Sequence, residues 1–189
     1  MGTCAWNCLE VLCGYLFVMD TLKKILVTGG ASGIGAAICR RMASRRTCFV
    51  VHTRRNREGL NKTVADIEQA GGVAYSELAD FSKPGASRRL IGRAVKHMGG
   101  LDILVANAGY ALSTPVTELS DADFGAAHAS ISKSFFELAT SAIPALENSE
   151  AGRIIGISAF GPHVWRPQIT PFAATAAAKA SMEVVAKAL

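Results

Sequence analysis

The apolar run Ile25-Leu26-Val27 passes directly into Thr28-Gly29-Gly30-Ala31-Ser32-Gly33-Ile34-Gly35, after which Ile34, Ala37, Ile38 and Met42 recur at helical spacing. A buried strand, a glycine-rich turn and a helix in direct succession leave few folds open. Such a turn lets the backbone approach a pyrophosphate closely, and it aims unpaired helix amides and the positive end of the helix dipole at the phosphates. Glycines alone also serve plain tight turns, so the reading depends on the rest of the chain.

Beyond this turn, strands and helices alternate without a break. Cys48-Phe49-Val50-Val51 reads as a second strand and Val73 to Leu78 as a third; the helix between them carries Leu60, Val64 and Ile67 on one face and ends at Gly71-Gly72. After Pro84, Leu90, Ile91, Ala94, Val95 and Met98 mark another amphipathic helix, and Leu101 to Val105 a fourth strand closed by Asn107-Ala108-Gly109. Ser120 with Asp123 resembles a capping box opening a long helix through Phe124, Phe135, Phe136 and Leu138, with a disturbance expected at Pro144. Arg153 to Ile157 supplies a fifth strand, and a last helix starts near Pro171. Strands alternating with helices require parallel crossovers. The expected class is therefore α/β, a Rossmann-like doubly wound parallel sheet in three αβα layers. Right-handed crossovers bring the strand tips and the turns after them to one edge, where ligands bind.

A chain of 189 residues, half of them hydrophobic, holds one domain with a substantial core. We expect that domain over residues 21–189, behind an extension over 1–20 whose structure the sequence leaves open. Leu9 to Met19 is apolar apart from Glu10, but too short to span a bilayer, and it lacks the basic region and small-residue cleavage site of an export signal. Cys4, Cys8, Cys13, Cys39 and Cys48 have neither metal-ligand spacing nor nearby histidines, so no metal site is expected and reduced thiols in a cytoplasmic setting are the plain reading. The net charge of +5 comes with arginine pairs at 40/41, 45/46, 54/55 and 88/89 that fall on different elements. No clustered basic face for nucleic acid emerges.

The pattern Thr28-Gly29 with Gly33-Ile34-Gly35, joined by Asn107-Ala108-Gly109 after the fourth strand, resembles the short-chain dehydrogenase/reductase family over about residues 21–189. The resemblance implies that Gly29, Ser32, Gly33, Ile34 and Gly35 hold a cofactor diphosphate, and that Asn107, Ala108 and Gly109 support the sheet and line the nicotinamide side. It places Asp80 where the side chain meets the adenine, although aspartate there is also an ordinary turn former. At the end of the second strand an acid would chelate the ribose hydroxyls of NAD, whereas an arginine would pair with the extra phosphate of NADP. This chain offers His52, Thr53, Arg54 and Arg55 and no acid before Glu58. NADP(H) is favoured over NAD(H), with Arg54 or Arg55 as the clamp; a solvated arginine pair is the plainer alternative.

The resembled family works with asparagine, serine, tyrosine and lysine, its phenol brought toward working pH by a neighbouring cation. Lys179 matches the lysine, which lowers the tyrosine pKa and holds the nicotinamide ribose. One helical turn earlier stands Thr175 in place of tyrosine. Alignment on the fifth strand puts Ala159 at the serine position with Ser158 just before it, and alignment on Phe124 and Phe136 puts Ile131 at the asparagine position. Thr175, Ser158 or water are then the groups expected near a substrate oxygen. Tyr110, His163 and His128 are further candidates, each also explained by packing or solvation.

The expected activity is hydride transfer between a nicotinamide cofactor and a small-molecule carbonyl or alcohol, impaired or altered by those losses. The alternative is a non-catalytic nucleotide- or partner-binding protein that uses its fourth and last helices as a homo-oligomer surface, as relatives commonly do. Relatives continue past a helix of this kind with further strands, so the sheet is expected to lack its last strands and to leave the fifth as an edge. An incomplete, unstable fragment is the third reading.

Overall fold

Five short apolar runs become the strands of one parallel sheet: β1 (Lys23–Thr28), β2 (Thr47–Thr53), β3 (Val73–Leu78), β4 (Ile103–Ala106) and β5 (Arg153–Gly156). The computed structural model describes residues 22–164, 166, 168 and 171–189, so the N-terminal extension with Cys4, Cys8 and Cys13 lies outside the described residues. The strands lie in the order β3-β2-β1-β4-β5. The chain winds outward from β1 to β3, then returns to set β4 on the other side of β1. That reversal is the point at which doubly wound sheets open a crevice.

Helices α1 (Gly33–Met42), α2 (Arg57–Gln69) and α3 (Ala86–Met98) make the first crossovers. Between β4 and β5 runs α4 (Asp121–His128), which continues through a widened turn at Ala129–Lys133 into α5 (Ser134–Leu146), and α6 (Ala173–Ala188) follows β5. Side chains alternate across each strand and sort the core into two layers. Leu26, Val50 and Leu104 are in register and pack on Leu90 and Ala94 of α3 and on Leu138 and Ala142 of α5. Ile25, Val27, Phe49 and Val51 turn the other way, onto Cys39 of α1 and Leu60 and Ile67 of α2. Each such buried side chain contributes roughly 1.5–3 kcal/mol through removal of apolar surface from water. Cys39 and Cys48 are free thiols inside these layers; burial pushes the Cys39 thiol up to about 12, which leaves it inert.

The long helix breaks at a different place from the one its sequence suggests. Pro144 sits inside α5, close to its end, while the irregular turn lies at Ala129–Lys133. A widened turn frees carbonyls from the helical ladder. Here side-chain hydroxyls take them up: Ser134 donates to Ser130 O at 2.7 Å and to Ile131 O at 3.2 Å, and Ser132 to His128 O at 3.4 Å. At the start of α4, Ser120 Oγ accepts the Asp123 amide at 3.1 Å and donates to the Asp123 carboxylate at 2.7 Å, as its capping role requires. On the far side of the sheet β5 pairs with β4 alone among the described residues, and Ile155 is partly open to solvent.

Two buried polar side chains fix the strand tips. Thr28 ends β1; its hydroxyl donates to Val105 O at 3.3 Å and accepts the amides of Asn107 and Ala108, both at 3.0 Å. His52, near the end of β2, has Nε2 at 2.9 Å from the carbonyl of Ala79. A carbonyl only accepts, so the proton sits on Nε2 and the ring is neutral. Phe81 stacks on that ring at 4.6 Å and 21°. Burial is the main force pushing the imidazole from 6.5 down to about 4.

Each group carries a prediction. Thr28→Val strands the Ala108 amide, leaves that of Asn107 only the carbonyl of Val105 at 3.2 Å, and should cost about 2 kcal/mol in urea unfolding, while Thr28→Ser keeps most of the stability. An unchanged midpoint for the valine variant would contradict the assigned role. For His52 the folded state binds fewer protons than the unfolded chain between about 6.5 and 4, so stability is fully present above that window and falls as pH drops through it. Wild type should lose more stability than His52→Gln between pH 7.5 and pH 5, at up to about 1.4 kcal/mol per pH unit. Parallel curves for the two proteins would remove His52 as the cause.

Candidate functional site

The tips of β1 to β4 open into one cleft of about 360 Å³. Gly29, Ser32 and Ile34 form its wall after β1, His52, Thr53 and Arg54 after β2, and Ala79, Asp80 and Phe81 after β3. Asn107, Ala108, Gly109 and Tyr110 close it beyond β4, and Ser130 reaches it from the widened turn. Of the residues singled out from the sequence, Gly33, Gly35, Arg55, Thr175, Ser158 and Lys179 are not among those lining the cleft.

Steric limits explain the glycines of the turn. A Cβ on Gly35 would lie 2.3 Å from Gly29 O and 2.6 Å from Asn107 Nδ2, so only glycine lets α1 start this close to the β4 tip. Gly29 adopts φ +67° and Gly33 φ +52°, the left-handed region that glycine enters without strain. Around Gly33 a Cβ would meet nothing within 4 Å, so the start of α1 faces open space. The first intrahelical bond runs from the Ala36 amide to Ser32 O at 3.1 Å, which leaves the amides of Gly33, Ile34 and Gly35 ahead of the helical ladder. Ser32 makes no side-chain cap and the first turn holds no acid. By contrast, α2 is capped by Asn56, whose side chain accepts the Gly59 amide at 3.0 Å. The donors and the dipole of α1 thus remain open to an anion, and an open glycine cradle of this kind fits a diphosphate.

Asn107 joins the two sides of the crevice: its Nδ2 donates to Thr28 O at 3.0 Å and to Gly29 O at 3.2 Å. On the β2 side Arg54 reaches the cleft, and Arg55 does not line it. Asp80 forms the turn after β3 and also stands at the cleft wall. Its Oδ1 accepts the Ser82 amide at 3.0 Å as a turn former, and its carboxylate also lines the cleft. The bonds from Ser82 come first in holding that carboxyl below its usual range, with Arg54 and Lys83 adding to them.

Lys179 lies behind Gly109, where an added Cβ would come within 3.6 Å of Nζ. The side chain is buried and its ammonium donates to the carbonyl of Ile157. Burial lowers its pKa, opposed by the charge of Glu183 one turn on. Thr175 is buried too, its hydroxyl donating to Phe172 O at 3.3 Å. Ser158 donates to the carboxylate of Glu183. Ile131 is packed with Phe135, Ala174 and Ala178. His128 tilts onto Phe124 at 4.6 Å. Tyr110 borders the cleft, but partial burial and then the Asp123 carboxylate raise its pKa, the wrong direction for a proton donor near neutrality. Among the described residues no group of His, Cys, Asp and Glu is placed to hold a metal, and no helix is long and apolar enough to cross a membrane.

Sequence reasoning gave no role to the Thr28 hydroxyl, the His52–Phe81 stack, Ser130 or Glu183. Thr28 and His52 carry a weak signal, as polar residues ending runs that are otherwise apolar. Glu183 carries another, as the single acid of α6 at helical spacing from Lys179.

The family described as short chain dehydrogenase matches residues 23–189. An uncharacterized oxidoreductase of Mycobacterium tuberculosis is 34% identical over 176 residues, which cover 88% of this chain and 62% of that protein. A versicolorin reductase of Emericella nidulans is 36% identical over 133 residues, 70% of this chain and 50% of its own. The match covers between 35% and 62% of the length of most of these curated relatives. Among solved structures, a short chain dehydrogenase of Burkholderia cenocepacia in complex with NADP superposes with TM-score 0.81 at 31% identity, over 88% of this chain and 66% of that one. A dehydrogenase/reductase of Sinorhizobium meliloti does so with TM-score 0.79 at 32% identity, over 91% and 68%. With its sheet order, its glycine turn and its Asn107–Gly109 segment all in place, the chain belongs to the short chain dehydrogenase family.

Proposed function

We propose that this chain binds NADP(H) and serves hydride transfer between that cofactor and a small-molecule carbonyl or alcohol. The observation that carries the reading is the uncapped, glycine-lined start of α1 facing the cleft. Bound there, the nicotinamide supplies or accepts the hydride. Gly29 and the amides of Gly33 to Gly35 would hold the diphosphate, with Ser32 and Ile34 beside it, and Asp80 would meet the adenine. Arg54, unopposed by any acid at the end of β2, supports NADP(H) over NAD(H). Lys179, placed behind Gly109, would orient the nicotinamide ribose, while Asn107 and Ala108 keep the crevice floor in place.

The burial of Thr175 and its bond to Phe172 O favour a second reading, a protein that binds the nucleotide without turning it over. Exposed Phe124 and Phe136 along α4 and α5 support self-association through that face in either case.

Fluorescence titration with NADPH and NADH tests the binding. Arg54→Ala should weaken NADPH by roughly 10- to 100-fold, the worth of a hydrogen-bonded charge, and leave NADH unchanged. Gly33→Asp places an acid where the phosphates would sit and should abolish binding of both while cooperative unfolding persists. If NADPH binds no tighter than NADH in the wild type, the cofactor preference fails. With a carbonyl panel, turnover lost in Lys179→Ala supports the oxidoreductase, and binding without any turnover by the wild type supports the second reading.

A further inference from the structure

A set of titratable side chains after β5 plays no part in the nucleotide cleft. Glu183 stands one helical turn beyond Lys179 and is partly buried, at 17% side-chain exposure. Its carboxylate accepts the Ser158 hydroxyl and, at 3.0 Å, His163 Nε2. These bonds, the one from Ser158 first, hold the carboxyl below its usual range. A carboxylate only accepts, so Nε2 carries the proton and the lone pair of the neutral ring lies on Nδ1. Nδ1 has no partner among the described residues, and the side chain is 59% exposed. The backbone at this point is held as well, since the amides of His163 and Val164 both donate to Phe160 O, at 2.9 and 3.0 Å.

The position is as informative as the bonding. Ile157 continues from β5, its amide donating to Ala106 O at 3.0 Å and its carbonyl accepting Lys179. Lys179 in turn lies behind Gly109, at the end of the cleft assigned to the nicotinamide. His163 stands in the segment that leaves the tip of β5, and Glu183, which holds it, lies one turn along α6 from Lys179 and two from Thr175, the residue in the place of the family's phenol. An aliphatic hydroxyl is far too weak an acid for that work.

Resting on the oxidoreductase reading above, we infer that His163, oriented through Nε2 by Glu183, is the proton donor and acceptor that replaces the absent tyrosine. In the reducing direction the carbonyl carbon receives hydride and its π pair moves to oxygen. That oxygen takes the Nδ1 proton of the imidazolium, and an alcohol forms. The ring is left neutral with Nε2–H still on Glu183, and solvent, which reaches the exposed ring, returns a proton to Nδ1. Alcohol oxidation runs the same transfers backwards. Glu183 is a positioning residue in this scheme, fixing the tautomer as a carboxylate does for other catalytic histidines. Ser158 steadies the carboxylate.

Nitrogen-15 NMR of the labelled full chain without cofactor tests the orientation. The neutral His163 ring should be the Nε2–H tautomer in wild type and a mixture in Glu183→Ala; an Nδ1–H tautomer in wild type overturns the proposal. In turnover, His163→Ala should lower kcat by about 100-fold or more, the usual share of a general acid, with KM and cofactor affinity unchanged and added imidazole restoring the rate. Full turnover by His163→Ala, or a loss that imidazole does not rescue, overturns the proposal and leaves the oxidoreductase reading standing. A wild type that binds NADPH yet converts no carbonyl or alcohol brings down both.

Discussion

One threonine hydroxyl and one asparagine carboxamide hold the ends of β1 and β4 together, and the cleft depends on them. At a reversal of strand order the two chains leaving the sheet diverge, and the backbone groups at their ends lose the partners a ladder would give. Thr28 accepts the amides of Asn107 and Ala108, and Asn107 donates to the carbonyls of Thr28 and Gly29. The crevice floor is thereby satisfied by the protein itself, and the walls can part above it. Gly35 completes the arrangement because a larger residue would push α1 off the carbonyl of Gly29.

That geometry sets the electrostatics. Helices α2 and α4 spend a side chain on capping their first turns, while α1 leaves its amides and its dipole facing the cleft. A positive helix end without an acid favours an anion at that spot. The β2 and β3 tips add a guanidinium at Arg54 and a carboxylate at Asp80, and between them a neutral, stacked imidazole at His52 supplies surface without charge. The cleft therefore presents a charge pattern that runs from the open start of α1 to the tips of β2 and β3.

At the opposite end side-chain hydroxyls and one buried ammonium hold the backbone. The widened turn at Ala129–Lys133 holds with Ile131 buried within it, because the hydroxyls of Ser132 and Ser134 satisfy the carbonyls it frees. Lys179 keeps a buried position against Ile157 and Gly109 although Thr175 has turned to Phe172. Ser158, weighed from the sequence as a group near substrate oxygen, is engaged with Glu183 instead.

Much of the fold is legible in the chain because its causes are local. Apolar runs, glycine turns and helical spacing depend on neighbours in the chain, so the five strands, their helices and the class of sheet derive from them directly. The same holds for the glycine turn and for Asn107–Gly109, whose residue types are dictated by backbone geometry. Pro144 misleads for the converse reason: α5 carries it in its last turn and runs on to Leu146, and the real irregularity arises where hydroxyls four residues further along stand ready to take over the carbonyls. Choosing Arg54 over its neighbour, hiding His52 against Phe81 and drawing Ser158, His163 and Glu183 into one cluster all required long-range packing. Residues 20 or more positions apart meet only once the crossovers have wound, and hydrogen bonds between them leave no period or spacing for a reader of the chain to find.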